Sequence, residues 1–330
     1  MLDLPAILLA TIFLALLFDF SNGLHDSANA IATVVSTRVM SPAVALGMAA
    51  TLNFAGAYMN THVARTIGTD IVDPASLNSQ VIIVALAVAA VWNFLLVWMG
   101  MPASSSHALI GGIIGAVMGS PGNHLFHTSG LLKILLALLI SPFLAMAASL
   151  LIMHLIYLLF RRQSASQVNG LFGKLQILSA AFMAYSHGSN DAQKSMGIIT
   201  MALVAGGTIS TFQVPGWVIF ICAMAMALGT AFGGWRVIRT LGMGLMHLKP
   251  VHGFGAESAA SMVILGASHF GLPVSTTHVI TSSIMGVGAS RRLSAVRWTL
   301  ATKIVLAWVL TFPACIGTAA IIQWIVSTWM

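Results

Sequence analysis

Two short motifs place carboxylates inside otherwise apolar sequence. Asp26 stands in the run His25–Asn29 and Asp191 in the run Asn190–Lys194, so imidazole, amide or amine groups lie within four residues of each acid. A charge at membrane depth costs at least about 2.5 kcal/mol, so such residues usually bind ions or carry protons. The one glutamate, Glu257, lies among small residues that allow close helix packing. We predict that a site for a coupling cation or proton is built from His25, Asp26, Asn29, Asn190, Asp191, Lys194 and Glu257.

A second pair of motifs is rich in hydroxyl groups. The runs Pro102–His107 and Pro273–His278 each place a proline shortly before three Ser or Thr residues and a His. Pro fits the first turn of a helix, so the hydroxyls are predicted at helix N-termini, where free N–H groups and the helix dipole favour an anion. The alternative is that they only cap their own helices. The predicted anion-binding residues are Ser104, Ser105, Ser106, Ser275, Thr276 and Thr277.

The two kinds of motif are compatible only if a cation binds with the anion. An anion beside Asp26 and Asp191 would be repelled unless a cation or proton neutralised the carboxylates. The pattern therefore predicts a cation-coupled anion symporter, whereas an anion channel would carry basic rings and few buried acids. An intramembrane hydrolase is not supported, because Ser106 and His107 diverge on a helix and no GxSxG or HExxH motif is present. We expect no enzyme activity and no bound cofactor.

The composition indicates that these motifs lie in a lipid bilayer. Of 330 residues, 58% are hydrophobic and 6% are charged, against about 25% charged in an average soluble domain. A soluble enzyme, a nucleic-acid-binding domain and a disordered chain are excluded. The apolar runs are long and continuous rather than alternating, which is atypical of a membrane β-barrel. We predict an all-α polytopic membrane protein with about 10–12 membrane segments.

An internal repeat organises these segments. Ser21–Asp26 matches Ser186–Asp191 at an offset of 165, and Gly100–His107 matches Gly271–His278 at an offset of 171. Matching motifs in the same order indicate duplication. The predicted units are a first transmembrane repeat over residues 1–160, a short basic cytoplasmic link over 161–174, and a second repeat over 175–330. Short, interrupted segments predict broken helices and re-entrant hairpins, with breaks between 20 and 28 and between 185 and 192.

The loop charges predict that the second repeat is inverted. The loop Asn60–Ser79 carries both signs of charge and Ser120–Gly130 has no Lys or Arg, whereas the equivalent loops Gly234–Pro250 and Ser290–Arg297 each carry three basic residues. Under the positive-inside rule, equivalent loops then lie on opposite sides of the membrane. This arrangement puts the central link in the cytoplasm and both termini outside.

The motifs resemble those of the inorganic phosphate transporter (PiT) family, whose signature is a Gly-x-Asn-Asp-x-x-Asn type of sequence in each half. Here it stands at Gly23–Asn29 and at Gly188–Lys194, and the two hydroxyl runs also look like family motifs. The resemblance extends over nearly the whole chain. It implies that phosphate sits between the hydroxyl-rich hairpin tips and that the Asp and Asn residues serve the coupling cations.

Two departures from the signature bear on the coupling ion. His25 stands where the second half has Asn190, and Lys194 stands where the first half has Asn29. Protonated His and Lys offer no oxygen to Na⁺, so the motifs look more like the bacterial proton-coupled branch. We predict symport of phosphate with H⁺ in a bacterial inner membrane. Na⁺ coupling, sulfate as substrate, transport of a metal–phosphate complex and a homo-oligomeric state stay open, as do the roles of His107, His187 and His278.

Overall fold

The fold is almost entirely helical. A computed structural model of the protein describes residues 6–73, 79–121 and 126–329. The first six helices within these ranges are α1 (Ala6–Ser36), α2 (Pro42–Gly56), α3 (His62–Thr69), α4 (Ser79–Met99), α5 (Ser105–Gly119) and α6 (Thr128–Phe160). The next six are α7 (Ala165–Ala205), α8 (Gly216–Phe232), α9 (Trp235–Arg239), α10 (Pro250–His269), α11 (Thr276–Arg291) and α12 (Trp298–Trp329). Both chain ends, and residues 74–78 and 122–125 of the two loops compared above, lie outside the described residues.

Several helices are long and apolar enough to cross a bilayer. α1, α4, α6 and α12 each qualify alone, and α8 forms a further span with the segment Trp235–Gly244, bent by 63°. A crossing needs about 20 residues. The 15 residues of α5 and the 16 of α11 are too few for a crossing, and these helices pack on the preceding helices α4 and α10, as in a hairpin. The prediction of a polytopic helical membrane protein is confirmed.

The two helices that carry the acidic motifs run without a break. We predicted interruptions between 20 and 28 and between 185 and 192, but α1 is continuous over 31 residues and α7 over 41. The polar residues do not end these helices because their side chains meet partners on neighbouring helices. α7 also begins inside the predicted link 161–174, where Ser164 and Gln167 form a capping box. That Ser-x-x-Gln spacing is a sequence signal for a helix start.

Helices of the first half pack on helices of the second in matching pairs. α1 packs against α8 while α7 packs against α2, and α5 packs against α12 while α11 packs against α6. In the helix order of the two halves, α1 corresponds to α7, α2 to α8, α5 to α11 and α6 to α12. Each of these contacts therefore has a counterpart with the halves exchanged. Both acidic motifs therefore lie at contacts between the halves, and neither half can form the site alone.

Glycines allow these crossings to be close. A Cβ atom on Gly23 of α1 would lie 2.3 Å from the Met226 carbonyl oxygen of α8, and one on Gly188 of α7 would lie 2.1 Å from the Asn53 carbonyl oxygen of α2. Real Cβ atoms do not approach backbone oxygen that closely, so any larger residue must push the helices apart. The motif glycines thus serve helix packing and do not break the helices.

We expect Gly188→Ala to destabilise the protein by about 1–3 kcal/mol, the usual effect of overpacking. Thermal unfolding of the detergent-solubilised protein measures this loss. The matched control is Gly173→Ala on the same helix, where an added Cβ meets nothing within 4 Å. Ala favours helix over Gly by about 1 kcal/mol, so this control should unfold at the same or a higher temperature. Equal melting temperatures for the two variants would contradict the close crossing.

Candidate functional site

The polar residues of each acidic motif share one helix face. On α1, Asn22, His25, Asp26 and Asn29 follow the spacing i, i+3, i+4 and i+7, and on α7 the same spacing relates His187, Asn190, Asp191 and Lys194. Residues at this spacing lie on one side of an α-helix. All eight side chains are buried. Two polar faces therefore meet in the centre of the protein.

The hydroxyl groups of α11 and α5 donate to the two carboxylates. The Thr276 hydroxyl lies 3.2 Å from Asp191 Oδ2 and 3.3 Å from Asp26 Oδ2, so it bridges the halves. Thr277 donates to Asp26 Oδ1 at 3.0 Å, and Ser105 of α5 lies 3.4 Å from Asp26 Oδ2. The structure thus brings together the two motif pairs that the sequence kept far apart.

The other predicted anion-binding hydroxyls have structural partners. Ser104 caps α5 by accepting from the His107 N–H, and Ser275 caps α11 by accepting from the His278 N–H. Ser106 donates to the Val274 carbonyl oxygen at 2.9 Å. Capping therefore applies to the first residue of each run, while Ser105, Thr276 and Thr277 point to the carboxylates.

His187 lies between the two carboxylates. Its Nε2 is 3.7 Å from Asp26 Oδ2 and 3.5 Å from Asp191 Oδ2, and its Nδ1 is 3.0 Å from Asn53 Oδ1. The amide oxygen only accepts, so Nδ1 carries a hydrogen. A further proton on Nε2 would place a positive charge between two acids. The sequence left the role of His187 open, although its i, i+4 spacing to Asp191 signals a shared face.

His25 and Asn190 contact the backbone of equivalent turns in the two halves. Nε2 of His25 lies 3.0 Å from the Met101 carbonyl oxygen and 3.5 Å from the Ala103 nitrogen. The Asn190 amide donates to Leu272 O at 3.2 Å and accepts from Val274 N at 3.3 Å. These turns precede α5 and α11, and each begins with a glycine at positive φ, 68° at Gly100 and 65° at Gly271. Both motif residues thus position a hydroxyl-bearing helix.

The amide groups on α1 are only half satisfied. Asn29 donates to Thr277 at 3.0 Å and to Thr276 at 3.3 Å, and Asn22 donates to Asp191 Oδ2 at 3.4 Å. Within the described residues, the side-chain oxygens of Asn22 and Asn29 have no hydrogen-bond partner. A buried acceptor without a donor is unfavourable, so these oxygens can receive a cation or a donor from a substrate.

Glu257 belongs to a neighbouring cluster. Thr33 and Ser179 donate to its carboxylate, as does Gln176 at 3.2 Å. None of the hydrogen bonds that Glu257 makes to described residues reaches Asp26 or Asp191. We predicted Glu257 as part of one site, and the structure connects it to that site through the two motif helices, by Thr33 of α1 and by Gln176 and Ser179 of α7. The three partners were not identified from the sequence.

Comparison with known proteins identifies the family of this chain. The model of the phosphate transporter family matches residues 22–319, which include both acidic motifs and both hydroxyl runs. The chain belongs to the phosphate transporter family. It is 46% identical over 316 residues to the probable low-affinity inorganic phosphate transporter of Bacillus subtilis, covering 95% of each chain. It is 48% identical over 310 residues to that of Rhizobium meliloti, covering 93% of each.

A solved structure has the same fold. The structure described as the sodium-dependent phosphate transporter superposes with a TM-score of 0.89 at 25% identity, covering 98% of this chain and 100% of the other. The recognised family and the membrane-spanning architecture are therefore those of an integral membrane transporter, not of an enzyme.

The buried charges of this transporter do not balance without added protons or cations. Within the described residues, the fully buried carboxyl groups are those of Asp19, Asp26, Asp191 and Glu257, while Lys194 is the one fully buried lysine. Its Nζ lies 2.9 Å from Asp191 Oδ1. Unpaired charge in a membrane interior is costly. Neutrality therefore requires protons on the carboxyls or on His25 and His187, or bound cations.

We expect Lys194→Met to destabilise the transporter by about 3–5 kcal/mol, the usual cost of leaving one member of a buried ion pair alone. The measurement is thermal unfolding in detergent. Lys303→Met removes an exposed lysine of α12 and serves as the control. The double variant Lys194→Met/Asp191→Asn should recover part of the loss, because no unpaired charge is left behind. A single variant as stable as the control would show that the pair does not matter.

Proposed function

We propose that this protein carries inorganic phosphate across the bacterial inner membrane together with protons. The observation that carries the proposal is that Ser105, Thr276 and Thr277 donate to Asp26 and Asp191. A hydroxyl has one hydrogen to donate. While the carboxylates hold these hydrogens, the hydroxyls cannot donate them to an anion.

This competition would couple the two substrates. A proton or cation that neutralises Asp26 and Asp191 weakens their hold on the hydroxyls and removes the repulsion between carboxylate and phosphate. The hydroxyls and the N-termini of α5 and α11 then become available to phosphate. Phosphate without the cation would add negative charge to an interior that already holds unpaired carboxylates. Binding of phosphate therefore depends on the cation or proton that neutralises them.

His25 supports H⁺ as the coupling ion. Its Nδ1 lies 2.5 Å from Asp26 Oδ1, so one of the two atoms carries a hydrogen, because two lone pairs would repel. Its Nε2 faces both an acceptor, Met101 O, and a donor, Ala103 N–H. The ring can therefore stay in place with or without a hydrogen on Nε2. A His titrates near pH 6.5 when unperturbed, within the physiological range.

The ends of α1 support the proposed orientation. At its C-terminal end, Arg38, Arg239 and Arg297 line a cavity of about 750 Å³. At the other end, the N-terminus of α3 packs on α7, where Gln193 accepts from the Val63 and Ala64 N–H groups at 2.8 and 3.1 Å. The positive-inside rule assigns the arginine-lined end to the cytoplasm. With the repeats inverted, both termini would be outside.

Sodium is the second candidate for the coupling ion. The side-chain oxygens of Asn22 and Asn29, which have no hydrogen-bond partner among the described residues, could coordinate a sodium ion as neutral ligands. The related solved structure is described as a sodium-dependent phosphate transporter. Sulfate is less favoured as substrate, because phosphate carries an O–H that needs an acceptor and the site is rich in acceptors. A competition assay with both anions, with and without divalent metal, separates phosphate from sulfate and from a metal–phosphate complex.

The coupling ion is tested by phosphate uptake into proteoliposomes with imposed gradients. We expect accumulation in sodium-free buffer with an inward proton gradient, and loss of accumulation with a protonophore. His25→Asn should keep both backbone contacts, since Asn190 makes the same two in the other half. It should also lose much of the protonophore sensitivity, because an amide does not titrate. Uptake by the wild type that requires sodium and ignores the protonophore would favour the second candidate.

The anion site is tested by removing single hydroxyls. We expect Ser105→Ala and Thr276→Ala each to raise the KM for phosphate about two- to twelve-fold, which corresponds to about 0.5–1.5 kcal/mol per lost hydrogen bond. Thr302→Ala, which removes an exposed hydroxyl from α12, is the control and should leave KM unchanged. An unchanged KM in both site variants would argue against these hydroxyls as phosphate ligands.

A further inference from the structure

Asp19 is a buried carboxyl that takes no part in the hydrogen bonds which Ser105, Thr276 and Thr277 make to Asp26 and Asp191. Its exposed fraction is 0%, and within the described residues neither of its oxygens has a well-formed hydrogen bond. It lies on α1 seven residues before Asp26, and two helical turns of about 3.6 residues keep the two acids on the same face. The carboxyl therefore points into the contact between α1 and its neighbours.

The groups that face Asp19 come from two helices. Ser195, Asp191, Lys194 and His187 of α7 act on it electrostatically, and the Cys222 thiol of α8 lies close enough to interact with it. The one permanent positive charge among them belongs to Lys194, which is 2.9 Å from Asp191. An ionised Asp19 would be a second negative charge competing for the same lysine, in a place with no water to solvate it.

A proton satisfies Asp19 better than a metal ion does. Metal ions with hard oxygen chemistry need several oxygen ligands at once, and among the groups that act on Asp19 in the described residues the neutral oxygen is the Ser195 hydroxyl. The backbone oxygens of the surrounding helices are used by their own hydrogen bonds. A protonated carboxyl needs only one acceptor, and its own O–H supplies the donor that the site lacks.

The position of Asp19 differs between the two halves. The equivalent residue in the second repeat, at the offset of 165, is Ala184. The same asymmetry holds for Glu257, whose equivalent at the offset of 171 is Leu86. Along α1, Asp19, Asp26 and the Glu257 partner Thr33 are spaced by seven residues, or about 10 Å at 1.5 Å per residue. One acid therefore lies on each side of the central pair, Asp19 toward α3 and Glu257 toward the arginine-lined end.

We propose that Asp19 is a second proton-carrying group of the transporter, separate from the His25–Asp26 pair. The inference extends the proposed phosphate–proton symport. Asp19 holds its proton in the arrangement seen here. When Asp19 releases this proton, its O–H bond breaks and the proton passes to the Asp191 carboxylate. Lys194 then pairs with the Asp19 carboxylate instead of with Asp191. The number of protons on the three groups is conserved in this exchange.

The experiment compares wild type, Asp19→Asn and the control Asp70→Asn in two measurements. The first is the number of protons moved per phosphate in proteoliposomes that contain a pH-sensitive dye. We expect Asp19→Asn to move one proton fewer per phosphate while its phosphate exchange keeps the wild-type KM. Asp70→Asn should match the wild type, since Asp70 lies in the loop after α3. An unchanged ratio in Asp19→Asn overturns the proposal.

The second measurement is the infrared carbonyl band of a protonated carboxyl group in the resting protein. This band should be lost in Asp19→Asn and shifted in Asp19→Glu. The Glu variant keeps the test valid if the Asn variant does not fold. This result does not depend on the coupling ion. If wild-type uptake follows sodium alone, the proposed symport is wrong, yet loss of the band still supports a protonated Asp19. A band that persists in Asp19→Asn and does not move in Asp19→Glu shows that the inference about Asp19 is wrong.

Discussion

The structure depends on the cost of placing charge in a medium that cannot solvate it. Four buried carboxyl groups face one buried lysine in the described residues, so the interior is balanced only when protons or cations are added. The close contacts of the site each place a hydrogen-bond donor or a positive charge beside an acid. Hydroxyls surround Asp26, Lys194 contacts Asp191, and His187 stands between the two acids. A site that is unbalanced by itself is well suited to take up a cation and an anion together.

The fold provides these contacts at places where helices of its two halves cross. Each acidic helix packs on a helix of the other half, and glycines at the crossings let the backbones approach. As a result Thr276 of the second half contacts the acid of the first half, and Asn22 of the first half contacts the acid of the second. The site is shared between the halves, so relative movement of the halves would change its hydrogen bonds.

The two halves are alike in their scaffold and different in their chemistry. His25 and Asn190 make the same pair of backbone contacts, but one titrates and the other does not. Asn29 and Lys194 occupy matching places, but one offers a neutral oxygen and the other a fixed positive charge. We infer that duplication supplied a symmetric frame and that substitutions at a few positions then assigned different charge states to its two sides.

The sequence by itself determined the fold class, the repeated motifs and the two kinds of polar motif whose side chains come together in the structure. Hydropathy is a sum over residues, and motif spacing is local, so both are readable without coordinates. Unbroken α1 and α7, the bridging place of His187 and the separate environment of Glu257 were decided only by tertiary structure. The physical reason is that a polar residue in an apolar helix either ends the helix or finds a partner on another one. Which of these occurs depends on contacts between residues such as Asp26 and Thr277, which are 251 positions apart.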